Sequence, residues 1–337
     1  MNIMISGWSE YVISDSGRCF KEMNRLGKKR IPFLFILDFE CKEPIVVPLH
    51  RIEETGILYD MEGYANVKSE CYTEKKELIL QKKPVSFSTY QRSFQKVIEH
   101  LLKGDSYLVN LTFPTPLESS HALDELFHLA KARFRLLVPG RFIVFSPEVF
   151  VRIKNGRIFS YPMKGTADAS DPEEAEKILG SLKERAEHHT IVDLIRNDLS
   201  QVADDIHLER FAYREIIATN EKQLIQVSSE ISGRLFPNYY EHLGDILKAL
   251  LPAGSITGAP KAKTIEIIRE AEIYERGYYT GVFGIFDGSE VNSAVMIRFI
   301  EQTQQGYLFK SGGGITAYSD PRQEYEEMID KVYVPIA

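Results

Sequence analysis

A mixed α/β fold with largely antiparallel sheets is what this sequence of 337 residues predicts. Short apolar, β-branched runs interleave with segments of helical period. Several neighbouring runs are joined by hairpin signals, which pair strands antiparallel. The Gly-x-Gly-x-x-Gly fingerprint of a doubly wound dinucleotide sheet is missing.

Taken in order, Ile31–Phe39 and Ile45–Leu49 read as strands on either side of Pro44. A helix follows, because Phe94, Val97, Ile98, Leu101 and Leu102 recur at helical spacing and Gly104 stands where a C-terminal cap belongs. Tyr107–Thr112 is β-branched and apolar, a strand. Val149–Ile153 and Arg157–Tyr161 flank Asn155-Gly156, the dipeptide that tolerates the positive φ of a tight hairpin turn. Helical character resumes at Pro172–Leu179 and Lys183–Val202. Leu224–Leu235 reads as a strand, Tyr239–Leu251 as a helix and Pro252–Gly258 as a loop. Pro260–Ala271 is a helix with proline in its first turn, where a missing N–H does no harm. Val291–Glu301 and Gly306–Lys310 form a hairpin. Ser319-Asp320-Pro321 opens the last helix, which carries Glu324, Glu327 and Lys331 on one face.

At roughly 150 residues per domain, the length suits two domains or one large α/β unit. A composition 44% hydrophobic and 11% aromatic supplies a sizeable core and excludes global disorder. Net charge is 41 − 48 = −7 with no domain-sized basic stretch, which argues against a nucleic-acid or membrane-surface partner. No apolar run approaches the ~20 residues of a bilayer span, and the first residues lack the pattern of a secretion signal. Cys19, Cys41 and Cys71 are odd in number and far apart, so a disulfide framework or four-thiolate zinc site is excluded. A cytoplasmic protein is expected.

Several groups of residues have the chemistry of a site. Glu184/Glu187 and Glu324/Glu327 each place two carboxylates on one helical face. Four such groups brought together suit a hard cation such as Mg²⁺, whereas a pair by itself reads as a solvated acidic face. Lys164, in Pro162-Met163-Lys164-Gly165-Thr166 after a strand, is a nucleophile if held uncharged and otherwise an ordinary charged strand end. Glu148, in Ser146-Pro147-Glu148, lies across the Asn155-Gly156 hairpin from Lys164, so hairpin pairing is expected to bring the two backbones together. Gly254 to Lys261 ends at a helix N-terminus but misses the phosphate-loop spacing. Gly312-Gly313-Gly314 offers backbone N–H groups to a carboxylate, and Arg298 just before it is a bidentate partner for the same group.

In sequence order these segments form one pattern. It runs through Gly104-Asp105-Ser106-Tyr107-Leu108-Val109-Asn110-Leu111-Thr112, Ser146-Pro147-Glu148, Pro162 to Thr166, and Lys183 to Glu187 with Ile191 to Leu199. It continues through Gly254 to Lys261, Arg276 to Gly281, Ile297-Arg298, Gly312 to Ile315 and Ser319 to Glu327. The combination closely resembles the chorismate-utilising enzymes, the family of anthranilate, aminodeoxychorismate, isochorismate and salicylate synthases. The likeness implies a single large unit of mixed, largely antiparallel sheets packed as a sandwich with helices outside. Residues 1–85 would supply N-terminal strands completing the core, and residues 86–337 the chorismate-binding catalytic region.

The resemblance also implies roles. Glu187 and Glu327 would ligate Mg²⁺, with Glu184 and Glu324 outside them holding metal-bound water. Glu148 would be the acid that protonates the departing C4 hydroxyl. Arg298, Tyr279 and the backbone of Gly312, Gly313 and Gly314 would hold a substrate carboxylate, with Gly165, Thr166 and Lys331 lining the same pocket. Leu108 stands where the isochorismate and salicylate branch carries a water-activating lysine. Lys164 stands where the aminodeoxychorismate branch has its lysine nucleophile and the anthranilate branch an alanine. The branch implied is therefore amination of chorismate at C4, a transferase step toward 4-aminobenzoate and folate. Anthranilate synthesis is the first alternative, and a non-catalytic carboxylate-binding subunit the second. None of the cysteines has the setting of a glutaminase nucleophile, so the ammonia is expected from a separate glutamine amidotransferase subunit.

Overall fold

The computed structural model describes residues 7–67, 77–168, 182–218 and 223–336. Cys71 and the helix expected at Pro172–Leu179 lie outside them. Its helices are α1 (Ser16–Lys28), α2 (Phe87–Leu102), α3 (Leu123–Leu129), α4 (Leu182–Leu199), α5 (Leu243–Leu250), α6 (Lys261–Ala271) and α7 (Pro321–Asp330). The strands run β1 (Phe33–Leu37), β2 (Ile45–Pro48), β3 (Leu58–Met61), β4 (Tyr64–Ala65), β5 (Leu80–Lys82), β6 (Leu108–Ser119), β7 (Phe134–Val138), β8 (Phe142–Ser146) and β9 (Val149–Lys154). They continue as β10 (Arg157–Ser160), β11 (Met163–Asp168), β12 (Asp204–Ala218), β13 (Gln223–Arg234), β14 (Gly258–Ala259), β15 (Val282–Phe286), β16 (Val291–Val295), β17 (Phe299–Thr303) and β18 (Gly306–Ile315).

These strands form two antiparallel sheets. One has the order β11-β13-β10-β9-β16-β15-β1-β2 with β12 on β13, the other β14-β6-β18-β17-β8-β7-β3-β4 with β5 on β6. Alternation along the strands explains their stacking. Leu34 and Ile36 of β1 share a core with Phe142 and Val144 of β8, between the sheets. Phe33, Phe35 and Leu37 face the opposite way into a core with Phe20 and Met23 of α1 and Leu247 of α5. Ile143 and Phe145 of β8 pack instead on Leu126 and Phe127 of α3. Central strands are thus buried on both faces, which is why they read as unbroken apolar runs. The architecture is the expected one: mixed α/β, largely antiparallel, two stacked sheets with helices outside.

Local signals behave as their chemistry requires. Asn155 and Gly156 take φ of 51° and 74°, the left-handed pair a two-residue turn needs. The Asp320 carboxylate accepts from the Arg322 and Gln323 N–H groups and caps α7. Two expectations change. Tyr239–Leu251 is a short 3-10 turn, Tyr239–His242, followed by α5 rather than one helix. Val291–Glu301 is not one strand: β16 belongs to the first sheet and β17 to the second, and the chain crosses between them through Arg298.

A buried charge network ties the sheets together beside that crossing. Arg276 and Glu272 pair at 2.6 Å with both side chains 2% exposed. Arg276 also donates to the carbonyls of Ile256 and Asn110 and to the Thr280 hydroxyl. Glu272 accepts from the Thr112 N–H and hydroxyl. An ion pair so dry requires these extra bonds to offset its desolvation.

Candidate active site

Glu148 stands at the step from β8 to β9. Its N–H donates to the Ser146 hydroxyl at 3.1 Å, and its carbonyl accepts from the Val295 N–H at 3.1 Å. The carboxylate accepts a 2.5 Å hydrogen bond from the Ser255 hydroxyl. Around it lies a small pocket walled by Val149, Pro162, Ile195 and Leu250, with Asp198 and Ser255 as polar members. Burial pushes the Glu148 carboxyl above its ordinary value, and the Ser255 bond pulls the other way. A carboxyl in such a setting keeps its proton to higher pH, as a general acid must.

Three residues beyond Val295, Arg298 adopts φ of 53° at the sheet crossing. Its guanidinium donates to the Lys331 carbonyl at 2.7 Å and lies 4.4 Å over the Tyr333 ring. Lys331 in turn donates to the Gly312 carbonyl at 2.9 Å and pairs with Glu327 at 2.6 Å. Tyr279 is buried, its N–H bonded to the Arg276 carbonyl. Burial raises its hydroxyl pKa, while the charges of Arg276 and Arg298 pull it down. Two sets of contacts, Ser255–Glu148–Val295 and Arg298–Lys331–Gly312/Glu327, are therefore joined by the short chain segment from Val295 to Arg298.

The triglycine is not a loop. Gly312, Gly313 and Gly314 pair with Thr112, Leu111 and Asn110 of β6. The ladder between β18 and β17 ends at Phe299↔Lys310, so beyond Lys310 the strand has a partner on one side only among the described strands. A Cβ on Gly313 would lie 3.4 Å from Glu324 Oε2, 3.6 Å from Lys331 Nζ and 3.9 Å from Glu327 Oε1. Glycine thus leaves a small polar cradle under the first turns of α7. Two carboxylates at its rim are hard oxygen donors and fit Mg²⁺ in chemistry. Among the described residues no three acidic, histidine or cysteine side chains gather as a metal site. Glu184 and Glu187 lie on α4, but their side chains fall outside the described residues.

The expected pairing of Glu148 with Lys164 across the hairpin is corrected. The β9–β10 ladder ends at Phe159↔Arg152, and the chain then shifts along the edge of β13, where Lys164 pairs with Val227. The two segments meet through Pro162, which lines the Glu148 pocket. Gly165 has no partner in the register between Lys164 and Thr166, so a bulge sits directly beside Lys164. The side chains of Lys164 and Thr166 also lie outside the described residues.

Gly254 to Lys261 is not an exposed anion cradle. Lys261 is paired with Asp198 at 2.8 Å, their side chains 16% and 6% exposed, and it donates to the Leu250 carbonyl at 2.8 Å. Burial lowers the Lys261 pKa and raises that of Asp198, and each partner's charge opposes its shift. Sequence reasoning missed Ser255 and Asp198 as site residues. The available signal was their place in the family-like pattern, Asp198 within Ile191 to Leu199 and Ser255 within Gly254 to Lys261. Leu108 packs against the triglycine, its Cδ1 3.0 Å from where a Gly314 Cβ would stand.

Comparison with known proteins places this geometry in a family. The family described as chorismate binding enzyme matches residues 46–337, and the chain belongs to it. Among relatives, an uncharacterized PabA-like protein of Pasteurella multocida is 48% identical over 94% of this chain and 98% of its own length. Aminodeoxychorismate synthase component 1 of Salmonella typhimurium is 34% identical over 72% of this chain, a match spanning 56% of that longer protein. The crystal structure of anthranilate synthase component I from Streptococcus pneumoniae superposes with a TM-score of 0.65 at 26% identity, covering 75% of this chain and 58% of that one. No helix among the described residues is long and apolar enough to cross a membrane.

Proposed function

We propose that this protein aminates chorismate at C4, the reaction of aminodeoxychorismate synthase component I, giving 4-amino-4-deoxychorismate for 4-aminobenzoate and folate synthesis. The observation that carries the reading is Lys164, on a bulged strand that leaves the Glu148 pocket at Pro162. The uncharged amine of Lys164 attacks C2 and the ring double bonds shift. The C4 hydroxyl leaves as water with the proton from Glu148. Ammonia then attacks C4, the double bonds shift back, and the lysine amine is expelled from C2 with a proton. Gly165 and Thr166 border this step. Arg298, Tyr279, Lys331 and the open edge of Gly312 to Gly314 hold the substrate carboxylate. Mg²⁺, held by Glu187 and Glu327 with Glu184 and Glu324 around its waters, would supply positive charge to a dianionic substrate. Leu108 cannot activate water, which disfavours hydroxyl transfer. Ammonia comes from a separate glutamine amidotransferase subunit.

Purified protein with chorismate, Mg²⁺ and ammonium should yield a product that keeps the enolpyruvyl group, identified by mass spectrometry. Anthranilate as the product, the reading that the similarity to anthranilate synthase favours, would overturn the proposal. So would absence of turnover, which fits a carboxylate-binding subunit instead.

Gly313→Ala tests the cradle. Its new Cβ meets neighbours at 3.4 Å or more, ordinary contact distances, so the fold should tolerate it. It fills the space the substrate carboxylate needs. The melting temperature should hold while KM for chorismate rises roughly tenfold, about one lost hydrogen bond. An unchanged KM would remove Gly313 from the binding site.

A further inference from the structure

We infer that Ser255 and the buried Asp198–Lys261 pair form a positioning device for Glu148, aiming its carboxyl at the substrate. The inference rests on the reading of Glu148 as the general acid and adds residues that contact the acid or the loop beside it.

Ser255 donates to Glu148 Oε1 and leaves Oε2 without a partner among the described residues. A carboxyl fixed through one oxygen presents the other in a single direction. Ser255 itself sits in a short 3-10 turn, Gly254–Ile256, between α5 and α6. The turn is closed at its base by Lys261, whose ammonium joins the Leu250 carbonyl at the end of α5 to the Asp198 carboxylate at the end of α4. Asp198 reaches the turn directly: a Cβ on Gly254 would lie 2.9 Å from Asp198 Oδ2. Asp198, Gly254, Ser255 and Glu148 line one pocket, so the ion pair sets the backbone that sets the hydroxyl that sets the acid. Beside Glu148 itself, the charged group lining this pocket among the described residues is Asp198 from α4, and its partner Lys261 from α6 offsets that charge from behind the lining. Ser160, on β10, spends its hydroxyl on the Phe150 carbonyl.

The test is a split of kinetic constants. Ser255→Ala should lower kcat roughly 10- to 100-fold, the range for a hydrogen bond to a charged group, and leave KM for chorismate within about twofold. The alkaline limb of the kcat–pH profile should move to higher pH, because the lost hydroxyl stabilised the ionised carboxylate. Ser255→Thr, which keeps the hydroxyl, should restore both. The double variant Asp198→Asn/Lys261→Met removes both buried charges together, which cores tolerate better than removing one. It should lower kcat with KM unchanged. A wild-type kcat and limb in Ser255→Ala, kcat and KM falling together, or failure of Ser255→Thr to rescue would each overturn the inference. A double variant with normal kcat overturns the part assigned to the ion pair. Glu148→Gln separates the two levels. A normal rate there sinks the acid role itself, whereas a slow Glu148→Gln beside an unaffected Ser255→Ala sinks only the positioning device.

Discussion

Lys164→Ala should abolish amination of chorismate, lowering turnover on the order of 10³-fold or more, as loss of a covalent nucleophile does. The reason is chemical rather than structural. Alanine has no amine to attack C2, and ammonia then faces a ring whose C4 hydroxyl has nothing to displace it from the far end of the diene. Position 164 pairs with Val227 in a ladder that depends on backbone only, so the substitution should leave the sheet intact. Lys164→Arg should fail equally, since guanidinium keeps its proton and cannot attack. Incubating the wild type with chorismate and Mg²⁺ without ammonia should raise its intact mass by chorismate less one water, and the Ala variant should show no increment. Near-normal turnover in Lys164→Ala would refute the nucleophile.

Glu148→Gln should slow the reaction by roughly 10² to 10⁴-fold, the usual contribution of a positioned acid. The amide preserves the shape of the pocket and can still contact the Ser255 hydroxyl, so KM should change little. The pH dependence follows from the direction of the shift. Burial holds the folded-state pKa of Glu148 above the ordinary carboxyl value. The wild-type acid therefore stays protonated to higher pH, and the rate falls as pH rises through the raised value. The Gln variant should lack that limb. Stability runs with the same sign. Between the ordinary and the raised pKa the folded state binds the extra proton, so stability contributed by the neutral carboxyl is lost as pH rises through that window. Above it Glu148→Gln should melt no lower than the wild type. A pH–rate profile identical in the two proteins would take Glu148 out of the proton transfer.

Several elements were legible from local pattern. The apolar run at Phe33–Leu37 is a central strand because both its faces are covered, and Asn155-Gly156 turns because both residues accept positive φ. Asp320 and Pro321 start α7 for reasons contained in three residues. Other elements were not. β12 is long and rich in charge, exposed at most of the positions from Asp204 to Arg214, and it is held by its bulged register with β13 rather than by an alternation of its own. α1 does carry a helical period in Cys19, Phe20, Met23 and Leu26, but the surface that buries them is α5, more than two hundred residues later. The continuous β-propensity of Val291–Glu301 concealed a change of sheet, because propensity does not report which neighbours a strand will find.

The site divides the same way. Residue types and their order single out Glu148, Arg298, the triglycine and the two glutamate pairs as candidates, because each offers its chemistry locally; the side chains of Glu184 and Glu187 lie outside the described residues. What only the folded chain decides is convergence. The shift of β10 into β11 along β13 replaces a simple hairpin partnership of Glu148 and Lys164 with a meeting at Pro162. The crossing at Arg298 links Val295, which bonds the Glu148 backbone at the step between the sheets, to Lys331 and to Gly312 of the second sheet. Ser255 reaches Glu148 across 107 positions of sequence because Lys261, Asp198 and Leu250 close its loop. Sequence carries the local rules of period, turn and cap. Long-range register and buried charge pairing are set by which surfaces exclude water together, and that is known only once the sheets have stacked.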